Sequence, residues 1–197
     1  MNSIINREKH QLLAHLDKFA DSIWVGKGKD TVPTPDGSQV TAYTATMTMG
    51  PAFETVQGAL GKADKGQKQW CVHYYSQRAE ASTGLSMHQE TGYWLFDIVN
   101  SAFCKSVSTP HGIAILAGGA FTLSTEGGLI MVATAKAGSP EYGISNQPHL
   151  NRYSPMKNFT SNMTQTDSVY SYSETSLLRI EDRDCLRRDE ATLNLRR

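Results

Sequence analysis

Cysteine is scarce in this chain of 197 residues: Cys71, Cys104 and Cys185 are an odd number at wide spacing, and no Cys-x-x-Cys pair occurs. That excludes a disulfide framework and the paired-cysteine zinc sites, and reduced thiols in a cytoplasmic setting are the expectation. Net charge is also missing, because 19 Lys and Arg face 19 Asp and Glu. Without a basic stripe a nucleic-acid partner is not expected. No apolar run approaches the ~20 residues of a membrane-spanning helix, so no membrane insertion is expected. Arg7, Glu8, Lys9 and His10 precede any long apolar run, which argues against a secretory leader. Several catalytic signatures are absent too. Gly26-Lys27-Gly28 lacks the remaining glycine of a G-x-G-x-x-G nucleotide loop and does not open a helix, and there is no Gly-x-Ser-x-Gly elbow. Cys71 and His73 share a strand face, but two ligands do not make a metal site, and no metal is expected.

What the chain does contain is β-pattern. Residues 1–21 form one segment, read as an amphipathic helix: Leu12, Leu13, Leu16, Phe19 and Ala20 recur at helical spacing. It is read as a lid or plug on the barrel formed by the rest of the chain. From Ile23 onward short alternating segments are separated by turn clusters. Thr41 to Met49 alternates strictly, with Tyr43, Ala45, Met47 and Met49 on one side and Ala42, Thr44, Thr46 and Thr48 on the other. Further strands are expected at 23–29, 53–58, 69–78, 85–96, 102–108, 112–117, 120–124, 129–135, 157–165, 168–180 and 191–196. Gly61 to Gly66, Gly118-Gly119 and Glu126-Gly127-Gly128 read as turns or breakers, and residues 138–155 as a long loop over one barrel mouth. The spacing predicts an all-β fold, a single antiparallel barrel over residues 22–197 with about ten strands. Closing the sheet would remove its exposed edges and leave an interior that is either filled or a ligand cavity.

The densest chemistry lies in Met87-His88-Gln89-Glu90-Thr91-Gly92-Tyr93-Trp94. His88 and Glu90 are two apart and share a strand face, so the carboxylate can orient the imidazole or raise its pKa. The same pair equally suits a polar outer face or a satisfied interior network. His111 follows Pro110 in a turn, at a barrel mouth or on the surface. The charged tail, from Arg179 to Arg197, reads as a solvated, ion-paired hairpin because its signs nearly cancel.

Several segments resemble the nitrobindin-like haem-binding β-barrels, relatives of fatty-acid-binding proteins and lipocalins in the calycin group. Trp24-Val25-Gly26-Lys27-Gly28 resembles their W-x-G-x-G opening. Phe53-Glu54, Tyr75-Ser76-Gln77-Arg78, His88 to Trp94, Thr109 to Ile113 and Leu186 to Leu193 come after it in the same order. The resemblance implies a calycin-like barrel whose Trp24 plugs a closed end with its indole N–H paired, and whose Gly26, Gly28 and Gly92 serve the fold. It also implies haem held by a histidine near the final strand, with chemistry on nitric oxide or peroxynitrite of the peroxynitrite isomerase kind. At that position this chain has Arg188, or Arg187 after a one-residue slip, and guanidinium cannot ligate iron. Three readings stay open. The barrel binds a small hydrophobic or amphipathic molecule, an anionic one if Arg188 meets a carboxylate, with His88, Glu90, Tyr75 and His111 as the other candidate contacts and no enzymatic role. It holds haem through another histidine such as His88 or His111. Or it is a ligand-free structural barrel, with a second copy covering its mouth in a homodimer.

Overall fold

The computed structural model describes residues 13–34, 36–57, 67–124 and 128–196. Helix α1 (13–19) precedes strands β1 (Ile23–Thr34), β2 (Gly37–Gln57), β3 (Gln67–Glu80), β4 (Ser86–Asp97), β5 (Ala102–Ser108), β6 (Ile113–Leu123), β7 (Leu129–Ala137) and β8 (Gly143–Asn146). Helix α2 (Pro148–Tyr153) and strands β9 (Met156–Gln165), β10 (Val169–Ile180) and β11 (Arg183–Leu195) complete the chain. The strands close into one barrel in the order β1-β11-β10-β9-β7-β8-β6-β5-β4-β3-β2. The expected part of the helix up to Leu12, and the expected turns at 61–66 and 126–127, lie outside the described residues.

The described residues form eleven strands because some expected breaks are absent and one element lies within the expected loop. Met49 and Phe53 belong to one strand, with a register shift between Met49 and Ala52. Gly50 and Pro51 sit at that irregularity, where proline's missing N–H costs no ladder bond. Gly118-Gly119 is not a turn. Both residues lie inside β6: a Cβ at Gly118 would fall 2.0 Å from the Tyr142 ring, and one at Gly119 would fall 2.2 Å from the Val132 carbonyl oxygen. Here glycine marks close packing rather than a chain reversal. Within the expected loop at 138–155, β8 pairs antiparallel with β6 and parallel with β7, so the barrel is not a pure antiparallel meander. The tight reversal between β10 and β11 falls at Glu181 and Asp182, both at positive φ (47° and 61°), as a two-residue hairpin turn requires.

Alternation decides what fills the barrel. Tyr43, Ala45, Met47 and Met49 all point inward and are buried. At one end α1 acts as a plug, with Leu16 and Phe19 fully buried. Phe19 stacks on Trp94 at 4.8 Å and approaches Trp24 at 5.3 Å and Tyr170 at 5.7 Å. The Trp24 indole N–H donates to Ser22 Oγ at 2.7 Å, so this buried ring leaves no unpaired polar atom. Gly26 and Gly92 are required where strands crowd, because a Cβ would lie 2.1 Å from the Thr192 carbonyl oxygen and 1.9 Å from that of Ser106. Aromatic and aliphatic side chains therefore close the plug end, and polarity rises toward the other. No helix among the described residues is long and apolar enough to cross a membrane.

Candidate functional site

The polar interior is built by strand parity. In β10, Tyr170, Tyr172, Glu174 and Ser176 share one face, and all four are buried. In β11, Leu193, Ala191 and Asp189 face inward, with Arg187 next on that face. Ser76 and Arg78 from β3, Glu90 from β4 and Lys105 from β5 join them. The barrel thus encloses two permanent cations, Arg78 and Lys105, and three carboxylates, Glu90, Glu174 and Asp189.

These charges are mutually paired, which is the condition for keeping them out of water. Arg78 Nη1 is ion-paired with Asp189 Oδ2, and its Nη2 lies 3.7 Å from Glu174 and 3.8 Å from Glu90. Lys105 Nζ donates to Glu174 Oε1 at 2.7 Å and lies 3.6 Å from Glu90 Oε1. Ser161 Oγ donates to the same Glu174 oxygen at 2.9 Å. The Arg78 guanidinium also sits between the rings of Tyr43 and Tyr172, 5.6 and 5.4 Å from their centroids. Tyr43 donates its hydroxyl hydrogen to Asp189, and its oxygen lies 2.8 Å from that of Tyr172.

Protonation states follow from this packing. Burial alone would raise the Glu90 pKa, but Lys105, the His88 hydrogen bond and Arg78 outweigh it and hold the carboxyl well below the usual range. Burial would likewise strip the proton from Lys105, yet Glu174 and Glu90 hold its pKa above the ordinary value. Burial and the neighbouring Tyr172 push the Tyr43 phenol far up, so it remains a donor.

Above this charged layer, at the end opposite the plug, lies a cavity of about 80 Å³. One wall is apolar: Val107, Ile113, Ile115, Met156 and Phe159, from β5, β6 and β9. The other carries Arg78, His88, Glu90, Glu174, Arg187 and Asp189. His88 Nε2 lies 3.2 Å from Glu90 Oε2, and the His111 ring stacks toward it at 6.3 Å. Arg187 is committed to Asp30 by two hydrogen bonds of 2.8 and 2.7 Å. A second, enclosed space of about 10 Å³ lies among the charged layer and Trp94. Two of its lining residues, Arg78 and Trp94, each carry a buried donor, Nε and Nε1, with no hydrogen-bond partner among the described residues.

Of the residues singled out from sequence, His88, Glu90 and His111 line the mouth cavity together. Tyr75 does not; it is on the outer wall, where its hydroxyl donates to Gln77. Arg188 is also exposed on the outer wall, because it alternates with Arg187 and Asp189. Parity places Arg187 inside instead, and Asp30 already occupies its guanidinium. The tail is not simply a solvated hairpin either, since Asp189 is buried against Arg78. The sequence reading did not single out Lys105, Glu174 or Asp189. The available signal was their parity with inward aromatics such as Tyr170 and Tyr172.

Haem does not fit these residues. The cavity is far below the ~300–1,000 Å³ usual for drug-sized ligands, and a tetrapyrrole is larger than most of those. Arg187 and Arg188 stand where the resemblance calls for histidine, and neither guanidinium can ligate iron. Comparison with protein-family models gives no match, and no curated protein matches the chain. Among solved structures, the chain is similar to the crystal structure of Rv2717c from M. tuberculosis, with a TM-score of 0.66 and 16% sequence identity over 95% of this chain and 98% of that one. At that identity the likeness shows the barrel fold.

Proposed function

We propose that this barrel binds a small amphipathic molecule at its mouth, without a catalytic role. One observation carries the reading: the mouth cavity sets an apolar wall (Val107, Ile113, Ile115, Met156 and Phe159) against an ionisable one. Such a pairing orients a ligand that has one apolar and one polar end. At about 80 Å³ the cavity suits a ligand of a few heavy atoms, and a long-chain fatty acid exceeds it. His88, Glu90 and His111 are the proposed polar contacts. Kinship with the nitrobindin-like calycin barrels belongs to the same proposal. It is supported by the ordered motifs, the Trp24 plug and the closed barrel, with this chain lacking the histidine that would hold haem.

Isothermal titration with four-carbon amphiphiles tests the reading. The wild-type protein is expected to bind at least one of them with 1:1 stoichiometry. Ile115→Trp, which fills the cavity from its apolar wall, is expected to abolish that binding while leaving the circular dichroism spectrum unchanged. Unaltered binding to a folded Ile115→Trp protein would move the site elsewhere.

A further inference from the structure

The charge count at the mouth names the ligand's class, and this class rests on the binding reading above. Arg78 and Lys105 supply two positive charges to the buried layer, and Glu90, Glu174 and Asp189 supply three negative ones. The remaining cation on the cavity wall, Arg187, is neutralised by its bidentate partner Asp30. The cavity floor therefore carries one uncompensated negative charge whenever His88 and His111 are neutral. Each carboxylate has a cationic neighbour, so the excess is one of net charge, and a ligand cation in the cavity would balance it.

We propose that the mouth cavity selects small organic cations, an ammonium group carried on a compact apolar tail, and rejects anions of the same shape. The ammonium group approaches Glu90 from within the cavity, which Glu90 lines together with His88. The tail rests on Val107, Ile115 and Phe159. An anion would add a second uncompensated negative charge to the same floor, so discrimination is built from repulsion as well as attraction. Arg187 is held by Asp30, and Arg78 has Asp189 on its Nη1 with Glu90 and Glu174 flanking its Nη2, so an anion approaching either guanidinium meets carboxylates.

The test compares three branched four-carbon probes, isobutylamine, isobutanol and isobutyrate, by isothermal titration at pH 8. At that pH the amine and the carboxylate probes are both charged. The expected order is amine first, alcohol weaker by at least about tenfold, and no measurable isobutyrate binding. Glu90→Gln removes the excess charge and is expected to bring amine and alcohol to within about threefold of each other. The wild-type comparison stands alone should that variant not fold. Isobutyrate binding as tightly as the amine, or all three binding alike, would overturn the charge inference and leave the amphipathic pocket standing. Failure of all three to bind would overturn the pocket reading and this inference with it.

Discussion

Replacing Lys105 with methionine keeps most of the side chain's hydrocarbon and deletes its charge. The Lys105 side chain is 3% exposed, and its ammonium lies 2.7 Å from Glu174 and 3.6 Å from Glu90. At an effective dielectric near 20 those contacts are worth about 6 and about 5 kcal/mol in gross Coulomb energy. Desolvation of the ammonium offsets several kcal/mol of that, and Arg78 is close enough to both carboxylates to share the load. Breaking a buried pair from one side leaves a net cost of about 3–5 kcal/mol, the value expected for Lys105→Met in urea unfolding at pH 7. The sign of the pH dependence is fixed. Without Lys105, burial raises the pKa of a carboxyl in the folded state above its unfolded value. The folded variant therefore binds more protons, and its deficit shrinks as pH falls from 8 toward 5. Adding Glu174→Gln restores the wild-type excess of a single negative charge and is expected to recover at least about half of the loss. A Lys105→Met cost below about 1 kcal/mol, or one that does not change with pH, would refute the buried-network reasoning.

Other outcomes follow from the same geometry. Glu90 has a folded pKa held below its unfolded value, so its stabilisation is fully present above about pH 4.3 and is lost as pH falls toward the folded value. Urea midpoints measured from pH 6 to pH 3 should therefore fall more steeply for wild type than for Glu90→Gln. Arg187→Ala strands buried Asp30 and is expected to cost about 1–3 kcal/mol, whereas Arg188→Ala on the outer wall stays within about 0.5 kcal/mol; equal effects would contradict the strand parity. Gly92→Ala drives a Cβ into the Ser106 carbonyl and should cost at least about 2 kcal/mol in the same assay. Hemin titration should give no saturable Soret band; one that disappears on substituting His88 or His111 would overturn the fit argument. A crystal structure at high resolution should show an ordered water in the inner space, accepting from Trp94 Nε1, because about 10 Å³ suits one water and the two residues with unpaired donors, Arg78 and Trp94, line it.

Much of the barrel was legible from local chemistry. The alternation from Tyr43 to Met49 gave a strand and its inner face, and the apolar positions Leu16 and Phe19 gave the plug. Misreadings arose where a residue type serves two purposes. Gly118-Gly119 reads as a breaker, but there the glycines admit Tyr142 and a neighbouring strand. The charged layer was harder to see. Arg78, Lys105, Glu174 and Asp189 come from four strands, and their hydrogen-bonded pairs, Arg78 with Asp189 and Lys105 with Glu174, are 111 and 69 residues apart, so no local window contains either pair. Glu174 sits among serines and a threonine, which suits a solvated face, and only its phase with Tyr170 and Tyr172 turns it inward. The same one-residue phase separates Arg187 from Arg188. Motif alignment that can slip by one position cannot decide between opposite faces of a strand.

The measurement closest to the central claim is nuclear magnetic resonance with methyl-labelled protein and isobutylamine. Saturable shifts are predicted at Val107, Ile113, Ile115 and Met156, with none at Leu16 or Met131 near the plug. Shifts concentrated at the plug end, or on the outer wall around Val132, would contradict a ligand site at the barrel mouth.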